Sequence, residues 1–179
     1  GAFTTLSYST GVPADVVESA FWHFNDAVCR GEMTMDEFNA EMASRLGLEE
    51  FDWTQHYMDA VEPIKEMQQL ARWVSQHYRI GLLSNIMPGF IPQMIQTGLL
   101  PDIDYDAVID SSQVQSIKPE DKIYAEAEKH SGVQPDQILF IDDSRTNLMA
   151  AERRDWKVLW FDDYRAEESA NRIKQTLEF

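Results

Sequence analysis

From residue 80 onward the sequence keeps one rhythm: a short apolar run, then a stretch with helical spacing, four times over. The runs fall at 80–83 (IGLL), 107–109 (AVI), 138–141 (ILFI) and 158–161 (VLWF), and the helical patterns at about 88–97, 119–131, 145–154 and 165–176. None of the runs alternates apolar with polar residues, as a strand with one wet face does. Strands covered on both faces read this way, so the pattern predicts an α/β fold: a Rossmann-like parallel sheet with flanking helices.

The first third obeys a different rule. From residue 12 to residue 77 the spacing is helical throughout. Pro13 precedes Val16, Val17, Ala20, Phe21 and Phe24 at three-to-four spacing, and Thr34 with Glu37 three residues later forms a capping box ahead of Phe38, Met42 and Leu46. Gly47 is placed to end that helix. A third segment lies around 48–61, and a fourth, 63–78, carries Ile64, Met67, Leu70, Ala71 and Val74 as its buried stripe. Two domains are expected: a helical cap at 10–62 and an α/β core at 63–179. With 179 residues and 44% hydrophobic content, such a core can form without disulfides.

Charge narrows the partners. A formal net charge of −16 opposes binding to nucleic acid or to an anionic membrane, since a polyphosphate binder needs a basic surface. It does not oppose a small phosphate ester, because one or two placed cations and a metal ion can reverse the local potential. No apolar run approaches a membrane span, the N-terminus lacks the pattern of a signal peptide, and Cys29 is the only cysteine. A cytoplasmic protein is expected.

Three polar marks stand where buried strands end: Ser84-Asn85, Lys118-Pro119 and Asp142-Asp143. In an open parallel sheet, ligands bind beyond the carboxyl ends of the strands, so these residues should share one edge. Ser84 and Asn85 can donate to phosphate oxygens, and Lys118 can neutralise charge developing on a transferring phosphoryl group. Asp142 and Asp143 offer hard oxygen ligands to Mg²⁺. Pro119 reads as a first helical residue, which would put Lys118 beside a helix N-terminus. Each mark also has an ordinary explanation: a helix cap for the acidic pair, turn chemistry for Ser84-Asn85, a solvated residue for Lys118.

The stretches GLLSN, SSQVQSIKPEDKIYAEAE and ILFIDDSRTNLMAAE resemble, in order and spacing, motifs two, three and four of the haloacid-dehalogenase-like hydrolases. GEMTMDEF is similar to a Gly-Glu-Ile-Ser-x-x-x-Phe pattern in the small helical cap of that superfamily's first subclass. The resemblance implies a Mg²⁺-dependent phosphatase acting on a small phosphorylated metabolite through an aspartyl-phosphate. It assigns Ser84 and Lys118 catalytic and substrate-binding roles and Asn85 a substrate-binding one. Asp143 becomes the direct metal ligand, Asp142 a ligand through water, and Asn147 a brace for the loop.

One departure is severe. The family's first motif, Asp-x-Asp at the end of a strand ahead of the cap, has no counterpart in GAFTTLSYSTG, and the first aspartate is Asp15. Nucleophile, general acid/base and one or two metal ligands go with it. In the resembled fold that strand is central, between the one ending at Ser84 and the one ending at Asp142. The leading expectation is that about 20 residues precede the given sequence. Residues 2–8 as a substitute strand, or a strand from a partner chain, are the structural alternatives. The chain as written is expected to be inactive by itself, and a degenerate phosphate-binding or regulatory member is the alternative function.

Other classes fit less well. A response-regulator receiver places its acidic pair first and its lysine last, the reverse of this order, and a haloacid dehalogenase proper carries serines and an asparagine where this chain has Asp142-Asp143. His23, His56, His77 and His130 lack metal-ligand spacing. Trp22, Trp53 and Trp73 read as packing for the helical layer, and Cys29 as an inert thiol.

Overall fold

The structure, a computed structural model, describes residues 1–178. Its chain divides into two compact units. The first comprises Gly1–Glu62, Asn85–Leu100 and Asp110–Ile117, the second Pro63–Ser84, Pro101–Ile109 and Lys118–Phe179. Two segments that follow strands in sequence, Asn85–Leu100 and Asp110–Ile117, therefore group with the helical residues.

The first unit is helical. It contains α1 (Ala2–Thr10), α2 (Ala14–Cys29), α3 (Met35–Leu46), α4 (Trp53–Ala60), the loop up to Glu62, and the two segments Asn85–Leu100 and Asp110–Ile117. The helix starts follow local chemistry: Thr34 Oγ1 accepts the Glu37 N–H at 3.1 Å at the head of α3, and Gly47 ends it in the left-handed region at φ 68°. Phe21 is the hub of the core, with ring centroids 4.6 Å from Trp53, 5.2 Å from Phe3 and 6.2 Å from Phe38. Leu6, Val17, Phe38 and Met42 are fully buried around it.

Residues 2–8 are not a strand but most of α1. The segment's hydroxyls turn back on its own backbone, Thr10 Oγ1 donating to the Leu6 carbonyl at 2.6 Å, and Gly11 closes the helix at φ 74°. Leu6 is buried and Phe3 stacks on Trp53, so packing overrides the weak helix propensity of FTTLSYST. The tryptophans also differ from the sequence reading. Trp53 packs in the helical unit as expected. Trp22 is 58% exposed, its ring meeting Phe21 in a T-shaped contact, while Trp73 packs in the second unit beside Leu70 and Ile173.

Gly31, within GEMTMDEF, has a structural reason. It sits at φ 71°, and a methyl group there would overlap the carbonyl oxygen of Ser112. Ser112 belongs to a four-residue helical turn, Ser111–Val114, whose cap is Asp110: Asp110 Oδ1 accepts from the Ser112 N–H at 2.9 Å and from its hydroxyl at 2.6 Å.

The second unit carries the strands. In chain order it holds α5 (Lys65–His77), β1 (Gly81–Ser84), β2 (Ala107–Asp110, divided from the first unit after Ile109), α6 (Asp121–Ser131), β3 (Leu139–Asp142), α7 (Arg145–Glu152), β4 (Lys157–Trp160) and α8 (Ala166–Leu177). The fold class is the α/β one expected. The strands form two two-stranded sheets, β1 with β2 and β3 with β4. β3 and β4 run parallel, with Leu139 opposite Lys157 and Asp142 opposite Trp160.

Leu70 of α5, Ile173 of α8 and Phe161 after β4 form one core with Ile141 and Leu159 from the strands. Of the expected α5 stripe only Leu70 is fully buried, and Ile64 stands 36% exposed. Tyr124, Phe140 and Trp156 make a second, edge-to-face cluster with centroids 5.4 to 6.2 Å apart. Among the described residues no helix is long and apolar enough to cross a membrane.

Candidate active site

The site grows from the carboxyl end of β3. Its apolar residues keep the strand in place, and the run ends at Asp142 because the next three residues turn into α7. Ser144 is the helix cap, its hydroxyl accepting the Asn147 N–H at 3.3 Å. Asp142 is thereby free of capping work. Its Oδ1 accepts the Ser144 N–H at 2.7 Å, and its Oδ2 accepts from Lys118 Nζ at 2.7 Å and from Asn147 Nδ2 at 3.4 Å.

Lys118 and Asp142, 24 residues apart in sequence, form a nearly buried ion pair: their side chains are 10% and 6% exposed. The Lys118 ammonium also lies 5.4 Å from the centre of the Phe140 ring. Helix α6 starts at Asp121 with Glu120 as its cap, so Pro119 is not a first helical residue. The cation at this site is placed by its pairing with Asp142 rather than by a helix N-terminus.

The two carboxylates of the pair live in opposite fields. Burial by itself would raise Asp142, but the Lys118 ammonium, its hydrogen bond and the Ser144 N–H outweigh burial and hold this carboxyl below the usual range. Asp143 is pushed up to about 6, first by burial and then by its hydrogen bonds and repulsion with Asp142 and Asp163. Asp163, two residues beyond Phe161 in the loop after β4, was not singled out in the sequence; its place beside Asp143 follows from the pairing of β3 with β4. Its one sequence signal is position, since it too follows the end of an apolar run.

Ser84 closes β1, as the sequence implied, and Asn85 follows it in the first unit. Asn147 does brace the loop, through its side chain on Asp142 and through its carbonyl, which accepts from the Tyr124 hydroxyl at 2.8 Å. Cys29 is buried, and burial together with Asp26 and Asp110 pushes its thiol up to about 12. It is inert as a nucleophile.

Among the described residues no three His, Cys, Asp or Glu side chains are arranged to hold a metal ion. Mg²⁺ does not need three: it keeps several waters and binds through one or two carboxylates plus substrate phosphate. Asp143, exposed and without a cation against it, fits the direct ligand, and Asp142, its oxygens already engaged, fits the role of a ligand through water. A cavity of about 850 Å³ in the first unit is a poor alternative for phosphate. Its lining includes Asp36, Glu49, Glu50 and Asp52 and no lysine or arginine.

Residues 26–161 match the family model described as haloacid dehalogenase-like hydrolase. The chain belongs to that family. No curated protein matches it. Solved structures share this hydrolase fold. One, described as a predicted HAD-like family hydrolase from Porphyromonas gingivalis, superposes with a TM-score of 0.71 at 24% identity, covering 94% of this chain and 92% of that one. A HAD family enzyme from Bacteroides thetaiotaomicron, in complex with magnesium and inorganic phosphate, gives 0.68 at 16% identity, with 85% and 88% covered. An L-2-haloacid dehalogenase from Xanthobacter autotrophicus with chloropropionic acid covalently bound gives 0.60 at 21%, with 81% and 62% covered. At these identities the likeness of this haloacid dehalogenase-like hydrolase to each is one of fold.

Proposed function

We propose that this protein is a Mg²⁺-dependent phosphatase that hydrolyses a small phosphate monoester through an aspartyl-phosphate. The observation that carries the reading is the Lys118–Asp142 pair at 2.7 Å with Asp143 beside it at the end of β3. An ammonium fixed by one carboxylate, next to a second carboxylate that lacks a counter-charge, suits a dianionic ligand together with a divalent cation. The magnesium and phosphate complex of the Bacteroides fold relative supports the same class of ligand.

The reaction needs the Asp-x-Asp motif, which the described residues do not contain. With it present, its first carboxylate oxygen bonds to phosphorus as the ester P–O bond breaks. The departing alcohol takes its proton from the second aspartate, and water then cleaves the acyl phosphate. Lys118 neutralises charge on the phosphoryl oxygens, and Ser84 and Asn85 donate to them. Mg²⁺, held by Asp143 and through water by Asp142, supplies charge neutralisation when bound.

In this reading residues 10–62 are the helical cap and 63–179 the catalytic core. The surface charge suits a small phosphorylated metabolite and no nucleic acid, and the single buried cysteine suits the cytoplasm. A second reading is a regulatory module that binds phosphate at the Lys118–Asp142 pair without turnover.

The test is an assay of the complete gene product with a generic phosphate ester and Mg²⁺. Turnover that Lys118→Ala and Asp143→Asn each abolish is expected, and none from the 179-residue chain alone. A complete gene product with no such turnover would refute the phosphatase reading.

A further inference from the structure

Trp160 ends β4 directly opposite Asp142 in the parallel ladder, so the two side chains project from the same face. The indole does not simply cover apolar surface. Its Nε1–H donates to the backbone carbonyl of Asp143 at 2.9 Å, and the guanidinium of Arg145 lies over its ring, 4.3 Å from the centroid. Asp143 and Arg145 are the two ends of one three-residue turn. One side chain therefore grips that turn twice, by a directional hydrogen bond at one end and a cation–π contact at the other.

The grip is itself anchored. Arg172 of α8 donates to the Trp160 carbonyl at 2.7 Å, and the Phe161 N–H donates to the Asp142 carbonyl at 3.0 Å. The neighbouring carboxylate of Asp142 is fixed by Lys118, Ser144 and Asn147, as described above, whereas the side chain of Asp143 meets the like-charged carboxylates of Asp142 and Asp163. Its main chain, by contrast, is held from β4. We propose that Trp160, with Arg145 stacked on it, is the positioning residue for Asp143: it fixes the peptide of the β3–α7 turn so that this carboxylate is presented in one orientation.

The inference rests on the reading of Asp143 as a cation ligand, and it has a readout that does not. Trp160→Phe removes the N–H donor and leaves a smaller aromatic face under Arg145. In the metal-free complete gene product, amide hydrogen exchange of Ser144 and Asn147 should accelerate several-fold, while amides in α6 and α8 and the thermal midpoint stay as in the parent. Titrated with MgCl₂ alone, the variant should bind about threefold to tenfold more weakly, the factor one ordinary neutral hydrogen bond supplies. Arg145→Gln should shift both readouts in the same direction.

Unchanged exchange at Ser144 and Asn147 in Trp160→Phe, with parental Mg²⁺ affinity, overturns the positioning role and leaves the phosphatase reading standing. Accelerated exchange in a protein that binds no Mg²⁺ in any form supports the grip on the turn and counts against the phosphatase reading.

Discussion

Replacing Lys118 by methionine tests the electrostatics on which the site is built. The side chains of Lys118 and Asp142 are 10% and 6% exposed, so the substitution leaves a carboxylate that water hardly reaches. Breaking a buried pair from one side costs about 3 to 5 kcal/mol. Asp142 keeps its hydrogen bonds from Ser144 and Asn147, which places the expected loss at the lower end, about 3 kcal/mol at pH 7. Asp142→Asn in the same background removes the stranded charge, so the double variant should be more stable than the sum of the singles by about 2 kcal/mol.

The pH dependence carries a sign. In the parent, Asp142 titrates below its unfolded value, so its contribution is present above about pH 4 and is lost as the pH falls through the folded value. Without Lys118, burial becomes the dominant influence and lifts the same carboxyl above its unfolded value. The folded variant then retains a proton the unfolded chain has released, and its stability falls as the pH rises from about 4. Urea denaturation of the parent, the two single variants and the double variant at pH 4.5 and pH 7.5 reads both effects. A Lys118→Met deficit that is the same at both pH values, or a double variant additive to within about 0.5 kcal/mol, would refute the reasoning.

Two further outcomes follow from the same structure. Asp143, pushed up to about 6 among other carboxylates, weakens the metal-free fold above that pH, because the folded state must give up a proton it prefers to hold. Asp143→Asn should stabilise the metal-free protein at pH 7.5 by no more than about 1 kcal/mol after solvent screening, with the gain vanishing near pH 4; a loss of stability by calorimetry at pH 7.5 would contradict this. Gly31→Ala should cost at least about 2 kcal/mol, since the left-handed backbone penalty is joined by overlap with the Ser112 carbonyl. Gly11→Ala, at φ 74° with open space around it, should carry the backbone penalty alone, and equal losses in the two variants would remove the packing argument.

Local signals in this chain were legible because they act over a few residues. The four apolar runs became four strands displaced by about one residue, and Thr34, Glu37 and Gly47 bound α3 at both ends. Helix α1 was not legible. Its residues have weak intrinsic preference for helix, and its stability comes from burying Leu6 and stacking Phe3 on Trp53, a partner 50 residues away. Likewise Pro119 offered a plausible helix start, yet α6 begins only at Asp121 behind Glu120. A proline permits a first turn without compelling it.

The candidate site divides along the same line. Ser84, Lys118, Asp142 and Asp143 could be named from the sequence because strand ends are marked by the abrupt replacement of apolar residues with polar ones. Asp163, Arg145 and Trp160 were not singled out: Asp163 shares only its position after an apolar run, Trp160 reads as one more apolar strand residue, and Arg145 reads as an ordinary surface charge.

The order of apolar runs and helix signals determined the α/β class, the helical first third and the chemical types gathered at the strand ends, because backbone hydrogen bonding and side-chain burial are decided within windows of about ten residues. Tertiary structure alone decided that Lys118 pairs with Asp142, that Asp163 crowds Asp143 and that an indole fixes the turn between them. Those contacts join loops whose spacing in sequence is arbitrary and whose meeting depends on strand register. Charge acts through space, so the opposite fields at two adjacent aspartates could appear only once the chain had folded around them.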